Sequence, residues 1–440
     1  MSAVAQIPWS NRVVCLGRKS TVIPARPSQP QQCKLCPSDL QMLCCDYIQK
    51  GLLYHMPFAD QHFVSLVELL KKSLSEALVW FYPLAGRLLT SSDGVVYIDC
   101  NDSGVDLIEA SAPDVGIQEI MEAEVGPVVR QLFALDGAIN LNGHFLPLLV
   151  VQVTKLRDGI SIGFTVNHAV VDGTSLWHFI NSWADLCRGA ATISHPPLHS
   201  RCFDIKGSRI ALNLPKTQTV EKFSPPALSE KIFHFSKETI WRLKDRANRK
   251  NPKAPIIISS FQALSAHIWQ AITRARGLPP NEPTTFKLAV NCRPRLDPPL
   301  PYSYFGNAIQ IVSTTVTAGE LLACDISSAA GLLQRIIWPH RDGNIRAELQ
   351  KYKQRPTVVK LDRTIRDNSV MMGSSPRFPM YDNDFGWGRP VGVRSGWANK
   401  FDGKMSAYPE REGGGGVDVE ICLMPAFMAA METDPQFLFP

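Results

Sequence analysis

The sequence predicts a mixed α/β protein made of two domains, and three observations lead there. The chain has 440 residues, more than one ordinary hydrophobic core organises. Strand-like apolar runs alternate with helix-period runs in both halves, the pattern of layered α/β structure. Between the halves, residues 191–226 lose their apolar periodicity and carry prolines at 196, 197, 215, 225 and 226. That stretch reads as a crossover linker lying on the surface. Domains at 1–190 and 227–440 follow.

The elements can be justified in order. Residues 20–31 are rich in Pro and Gln and read as an extended lead-in, and Ser38-Asp39 then caps a helix over Leu40–Gln49. Over 63–81, Phe63, Leu66, Val67, Leu70, Leu74, Leu78 and Phe81 recur at the helical period, with Lys71, Lys72 and Glu76 outside. Pro83 and Gly86 end that helix. Strands are expected at 94–100 and 146–154. A third, 160–167, alternates Ile162, Phe164 and Val166 and leads into a loop at His168. Asp172 or Thr174 can cap a helix over 174–187 that buries Leu176, Phe179, Ile180, Trp183 and Leu186.

The second half restarts with a strand at Lys231–Phe235 and a helix over 237–249. Ser259-Ser260 caps a helix running to Arg274, with Phe261, Leu264, Ile268 and Ile272 on one face. A strand at 285–292 and a mostly helical stretch at 329–353 come next. Strands at 402–409 and 416–423 are joined by Gly413-Gly414-Gly415-Gly416. No internal repeat, phosphate loop or dinucleotide glycine fingerprint is present.

Composition narrows the function classes. Hydrophobic residues make up 45% and charged residues 20%, with net charge +6, ordinary for a soluble globular protein. Lys and Arg are scattered without a run of five, which argues against nucleic acid and leaves room for an anionic small molecule. No stretch approaches the roughly 20 apolar residues of a membrane span, and the N-terminus has no signal-peptide core. The Phe-Leu-Phe-Pro end is not a peroxisomal tail. With eleven irregularly spaced cysteines, a cytoplasmic protein with free thiols is expected. Cys33 and Cys36 form a C-x-x-C, but Cys44 and Cys45 would fall on different faces of the helix begun at Ser38, so no metal site is expected.

Residues 164–173 read Phe-Thr-Val-Asn-His-Ala-Val-Val-Asp-Gly. A histidine at the end of a buried strand can be held rigid while facing a channel, and its usual pKa of about 6.5 lets it take and return a proton. Alone, the pattern suits a core histidine equally. A second motif, Asp384-Phe385-Gly386-Trp387-Gly388 followed by Arg389-Pro390, suggests a turn where backbone approaches something closely. Protein kinases share Asp-Phe-Gly, but their other loops are missing here.

Together, His168-x-x-x-Asp172-Gly173 and Asp384–Gly388 resemble the two defining motifs of the plant BAHD acyltransferases, the CoA-dependent HXXXD family. Phe81-Tyr82-Pro83-Leu84-Ala85-Gly86-Arg87-Leu88, Val290-Asn291-Cys292-Arg293-Pro294-Arg295, Tyr304-Phe305-Gly306-Asn307 and the segment 401–423 resemble further family signatures, in the expected order. The chain looks most like an acetyltransferase-like subgroup.

The resemblance implies two chloramphenicol-acetyltransferase-like domains with mixed sheets and a channel between them. It implies a monomer without bound cofactor or metal, and acyl-CoA as co-substrate with an alcohol or amine acceptor. His168 would be the general base. Asp172 would pair with Arg293 in a structural role, and Asp384 is often assigned in the family as a second proton acceptor, although the turn it opens reads as structural. Trp387 suits either an oxyanion donor or a packing group. By analogy Ser259 and Ser260 lie near CoA at a helix start, with Lys253, Arg377 and Arg389 as candidate phosphate partners. Two other classes compete: a CoA-independent lyase using the same histidine, and a non-catalytic binder on the same scaffold.

Overall fold

The structure, a computed structural model, describes residues 13–29, 31–56, 60–122, 127–201, 210–212, 226–249, 257–359 and 368–439. Two mixed six-stranded sheets dominate it. The first runs β1 (Cys15–Val22), β6 (Val105–Ala112), β7 (Leu149–Leu156), β8 (Gly159–Val166), β3 (Ile48–His55), β13 (Gly392–Ser395). The second runs β11 (Ile309–Thr317), β10 (Pro283–Asn291), β12 (Ser369–Met372), β14 (Lys404–Pro409), β15 (Val417–Leu423), β9 (Ser229–Phe235). A small sheet of β2 (Gln32–Lys34), β5 (Val96–Asp99) and β4 (Arg87–Thr90) flanks the first.

Residue choice follows position in the layers. β8 is buried along its whole length, and its apolar Ile160, Ile162, Phe164 and Val166 alternate with the small Gly159, Ser161, Gly163 and Thr165, which fit a covered second face. The edge strand β11 is only partly covered, and polar residues interleave with its apolar ones. The helices Asp60–Trp80 and Gly173–Cys187 pack on each other against the first sheet, and Trp183 Nε1 donates to Ser73 Oγ at 3.0 Å. The helices Lys237–Arg249, Ser260–Arg276 and Ile326–Ile337 cover the second. Described parts of the 191–226 stretch touch both halves: His199 Nε2 is 2.8 Å from Trp80 O and Leu212 N donates to Gly94 O, while Leu198 pairs with Tyr304 and Arg201 donates to Phe305 O.

Several expectations need correction. The helix expected over 40–49 is short, Pro37–Gln41, followed by a 3-10 turn at Met42–Cys44. Ile48 and Gln49 instead begin β3, whose backbone pairs with β8 on one side and β13 on the other. Two ladders of hydrogen bonds outweigh local helical preference there. The 329–353 stretch is mostly helical as expected, in two helices, Ile326–Ile337 and Asp342–Gln354, separated at Pro339, which cannot continue a helix. Strands β1, β2, β4, β6, β11, β12 and β13 escaped the sequence reading.

The halves interlock. β13 comes from the second half of the chain yet pairs antiparallel with β3, Ser395 opposite Lys50. Phe305, Met380, Phe385, Val393 and Tyr408 belong to the first hydrophobic core. The seam between the sheets is therefore built from both halves.

Candidate active site

His168 follows the end of β8 in a tight turn that is fixed from three directions. Asn167 Nδ2 donates to Asn140 O at 2.8 Å, and Asn167 Oδ1 accepts from Ala169 N at 3.0 Å. The His168 N–H donates to Asn140 Oδ1 at 2.6 Å, while its carbonyl accepts from Asn307 Nδ2 at 2.7 Å. Asn140 is anchored in turn on Met42 O at 2.7 Å.

The ring is set as firmly as the backbone. His168 Nδ1 lies 3.0 Å from Val171 O. A carbonyl can only accept, so Nδ1 carries the proton and Nε2 holds the lone pair. Burial pushes the imidazole pKa down; the Val171 carbonyl and Asp172 oppose that, and the Lys404 charge adds to it, with a net lowering. At neutral pH the ring is therefore uncharged, the state a base requires.

His168 opens on a cavity of about 170 Å³ at the seam. Leu176 and Trp177 line it from the first half, Ala289, Met371, Phe378 and Ser406 from the second, and three lysines, Lys50, Lys400 and Lys404, share its wall. Gly173 lets the wall close: a methyl group there would meet Phe378 Cζ at 2.6 Å.

Asp172 faces away from His168. Its oxygens accept from Arg293 Nη1 at 2.7 Å and Nη2 at 3.0 Å, from Ser175 N at 3.0 Å and from Ala308 N at 3.0 Å. It thereby caps the Gly173–Cys187 helix and ties it to the 291–308 segment. Arg293 Nη2 also donates to Ser175 Oγ and to the carbonyls of Tyr304 and Gly306.

A model of the Transferase family matches residues 13–438. The chain is 38% identical to BAHD acyltransferase DCR of Arabidopsis thaliana, covering 94% of this chain and 90% of that one. It is 31% identical to the hydroxycinnamoyl-CoA:5-hydroxyanthranilate N-hydroxycinnamoyltransferase HHT4 of Avena sativa, covering 93% and 97%. The crystal structure of vinorine synthase superposes with TM-score 0.73 at 25% identity, covering 95% and 96%. F. sporotrichioides TRI101, complexed with coenzyme A and T-2, superposes with TM-score 0.77 at 19% identity, covering 93% and 98%. The chain belongs to the plant BAHD acyltransferase family. It is an acyltransferase with the family's fold, and no described helix is long and apolar enough to cross a membrane.

In this BAHD enzyme the second motif lies apart from the His168 cavity. Asp384 Oδ1 accepts from Gly386 N at 2.8 Å and Gly388 N at 2.9 Å. Both glycines have positive φ, +113° and +98°, where side chains strain the backbone. Arg188 donates to the Asp384 carbonyl at 3.0 Å. Phe385 and Trp387 stack with centroids 5.7 Å apart, and Tyr54 meets both edge-on. Neither Asp384 nor Trp387 lines the cavity. Asp384 closes this turn through the Gly386 and Gly388 N–H groups, and the Trp387 ring packs on Phe385 and Tyr54, its Nε1 without a hydrogen-bond partner among the described residues.

The CoA candidates are dispersed. Ser259 is the N-cap of Ser260–Arg276, accepting from Gln262 N at 3.3 Å. Arg389 is 71% exposed, 3.6 Å from Asp382, and Arg377 is exposed. Lys253 lies outside the described residues. Cys33 Sγ sits 3.7 Å from Cys100 Sγ, and Cys36 Sγ 3.6 Å from Asn307 O. Among the described residues only Glu230, Glu420 and Cys422 bring three metal-ligating atoms within 4.8 Å of one another, and the Lys400 ammonium pairs with both carboxylates.

Sequence reasoning missed Asn140, the lysine wall and the role of Asn307. Asn307 and Lys404 stood inside quoted signatures without a task, and Asn140 carried no local signal.

Proposed function

We propose that this protein transfers an acyl group from a CoA thioester to an alcohol or amine of a plant specialised metabolite, with His168 as general base. The supporting observation is the imidazole itself: neutral, oriented by Val171 O, with Nε2 free on a cavity that both halves line. In this reading Nε2 removes the proton from the acceptor as its oxygen or nitrogen attacks the thioester carbonyl. The tetrahedral adduct collapses, the CoA thiolate leaves, and the imidazolium returns the proton to it. Holding both substrates at the seam supplies much of the remaining acceleration.

Direct transfer is favoured over an acyl-enzyme. Cys45 also lines the cavity, but burial pushes its thiol up to about 12, leaving almost no thiolate at neutral pH. By family analogy, the helix N-terminus at Ser259-Ser260 suits a CoA phosphate, and the chain acts as a cytoplasmic monomer.

Free-thiol release from acetyl-, malonyl-, benzoyl- and coumaroyl-CoA, with pooled alcohols and amines, tests the reading. Acceptor-dependent release is expected in wild type, with loss of about 10²–10⁴-fold in His168→Ala. No release from any donor, with no CoA binding, would overturn it in favour of CoA-independent chemistry on the same histidine.

A further inference from the structure

The lysine wall of the cavity has no task in the transfer step. Its charges are unevenly matched. Lys400 is satisfied by Glu230 and Glu420. Glu420 is spent as well, its second oxygen accepting from Tyr408 OH at 2.9 Å. Lys50 Nζ has only neutral partners, donating to Ser395 Oγ at 2.6 Å and Tyr408 OH at 3.3 Å. Among the described residues Lys404 Nζ has no hydrogen bond or ion pair; it lies over the Phe401 ring, 5.8 Å from its centroid.

Lys404 Nζ lies against Gly373. A methyl group on Gly373 would collide with Nζ, so the ammonium occupies space that any other residue at 373 would take. Both Gly373 and Lys404 line the cavity that His168 opens on. Desolvated ammonium groups without a counter-charge are costly. Here two of them, Lys50 and Lys404, face the substrate space, and the carboxylates nearby already serve Lys400. Burial and the neighbouring lysines lower both to about 8 against the opposing Glu420 charge, and an anion bound beside them would favour their charged forms.

We infer that Lys404, backed by Lys50, forms a carboxylate subsite, so that one of the two substrates carries a free carboxylate in the reaction cavity. The subsite rests on the acyl-transfer reading only for which molecule brings that group. On the donor it is the far end of a dicarboxylic acyl chain; on the acceptor it is an acid group beside the hydroxyl or amine. The lysines neutralise it and fix the substrate's orientation relative to Nε2.

Binding tests the subsite independently of turnover. Titration calorimetry on the full chain compares succinate with dimethyl succinate, and 3-hydroxybenzoate with its methyl ester. At least one acid is expected to bind about tenfold or more tighter than its ester. Lys404→Met should bring that ratio below about threefold, and Lys404→Arg should restore part of it. Circular dichroism and thermal unfolding confirm that the variants fold, and Gly373→Ala, which displaces the ammonium, gives a second readout.

Thiol release then identifies the source. A preference for succinyl-CoA over butyryl-CoA assigns the carboxylate to the donor. A preference for 3-hydroxybenzoate over its ester with acetyl-CoA assigns it to the acceptor. Equal binding of acids and esters, or a preference that survives Lys404→Met, overturns the subsite. So does a Lys404→Met variant that weakens all CoA thioesters alike, since that marks a phosphate contact. Carboxylate binding that disappears in Lys404→Met, without thiol release from any donor, leaves the subsite standing and removes the transfer reading.

Discussion

Replacing Asp172 with alanine separates two roles for the second conserved-type residue of the His168 motif. If Asp172 braces the imidazole as a triad member would, its loss reduces turnover by about 10⁴-fold with the fold intact. The geometry argues otherwise. Its four hydrogen bonds go to Arg293, Ser175 N and Ala308 N, and His168 Nδ1 is served by Val171 O. Asp172 and Arg293 side chains are 1% and 2% exposed. Removing one partner of such a pair leaves a buried charge and costs about 3–5 kcal/mol. Losing the N-cap adds about 1 kcal/mol.

Burial raises the Asp172 pKa, but the Arg293 charge and the hydrogen bonds outweigh it, so the net shift is downward. The pair's stability is therefore present above the usual carboxylate pKa of about 3.9 and lost as pH falls through the lower folded value. Urea unfolding at neutral pH should show a clear fall in midpoint for Asp172→Ala. The double variant Asp172→Leu/Arg293→Met should recover part of it, because no unpaired charge remains. Thiol release per folded molecule should fall far less than in His168→Ala. An unchanged unfolding midpoint with a 10³-fold or greater loss of turnover would refute this account.

Three further outcomes follow. The acid limb of kcat/KM should lie below pH 6.5, because burial lowers the His168 pKa and the base is lost only as pH falls through it; Lys404→Met removes a neighbouring positive charge and should move that limb upward. Asp384→Asn keeps an oxygen that accepts from Gly386 N and Gly388 N, so kcat/KM should stay within about threefold, whereas a general base would lose about 10²-fold or more. Burial depresses His199 and His267 to about 4. Each binds its proton more readily unfolded, so each withdraws up to about 3 kcal/mol of stability as pH drops from 6.5 towards 4, with none lost above pH 7; thermal melts against pH check this.

What the sequence revealed follows the range of the interactions involved. The Gly173–Cys187 helix was legible because its cap and apolar stripe lie within fifteen residues. The hairpin of β14 and β15 was legible because its turn glycines separate its own strands. β3 was mistaken for the end of a helix because its partners are β8 and β13, more than a hundred residues away. No local propensity encodes such a pairing. The candidate base, His168, could be read from one strand and one loop. What sets it could not, since the Asn140 and Asn307 side chains reach its backbone from distant segments and the Val171 carbonyl holds its ring, none of which local sequence pattern shows.

The same distinction explains why the second motif invites a catalytic reading. Asp384, Gly386, Trp387 and Gly388 look like chemistry when read as a string, with a carboxylate, an indole and two glycines around a turn. In three dimensions each type has a mechanical cause. Two positive φ angles require glycine, the two N–H groups so exposed require an acceptor, and the aromatic pair seats the loop on Tyr54. That loop leads directly into β13, the strand that carries Ser395 to Lys50. We propose that its contribution to the reaction is positional: it delivers a strand from the second half into the first sheet, where Ser395 and Lys50 line the same cavity as His168.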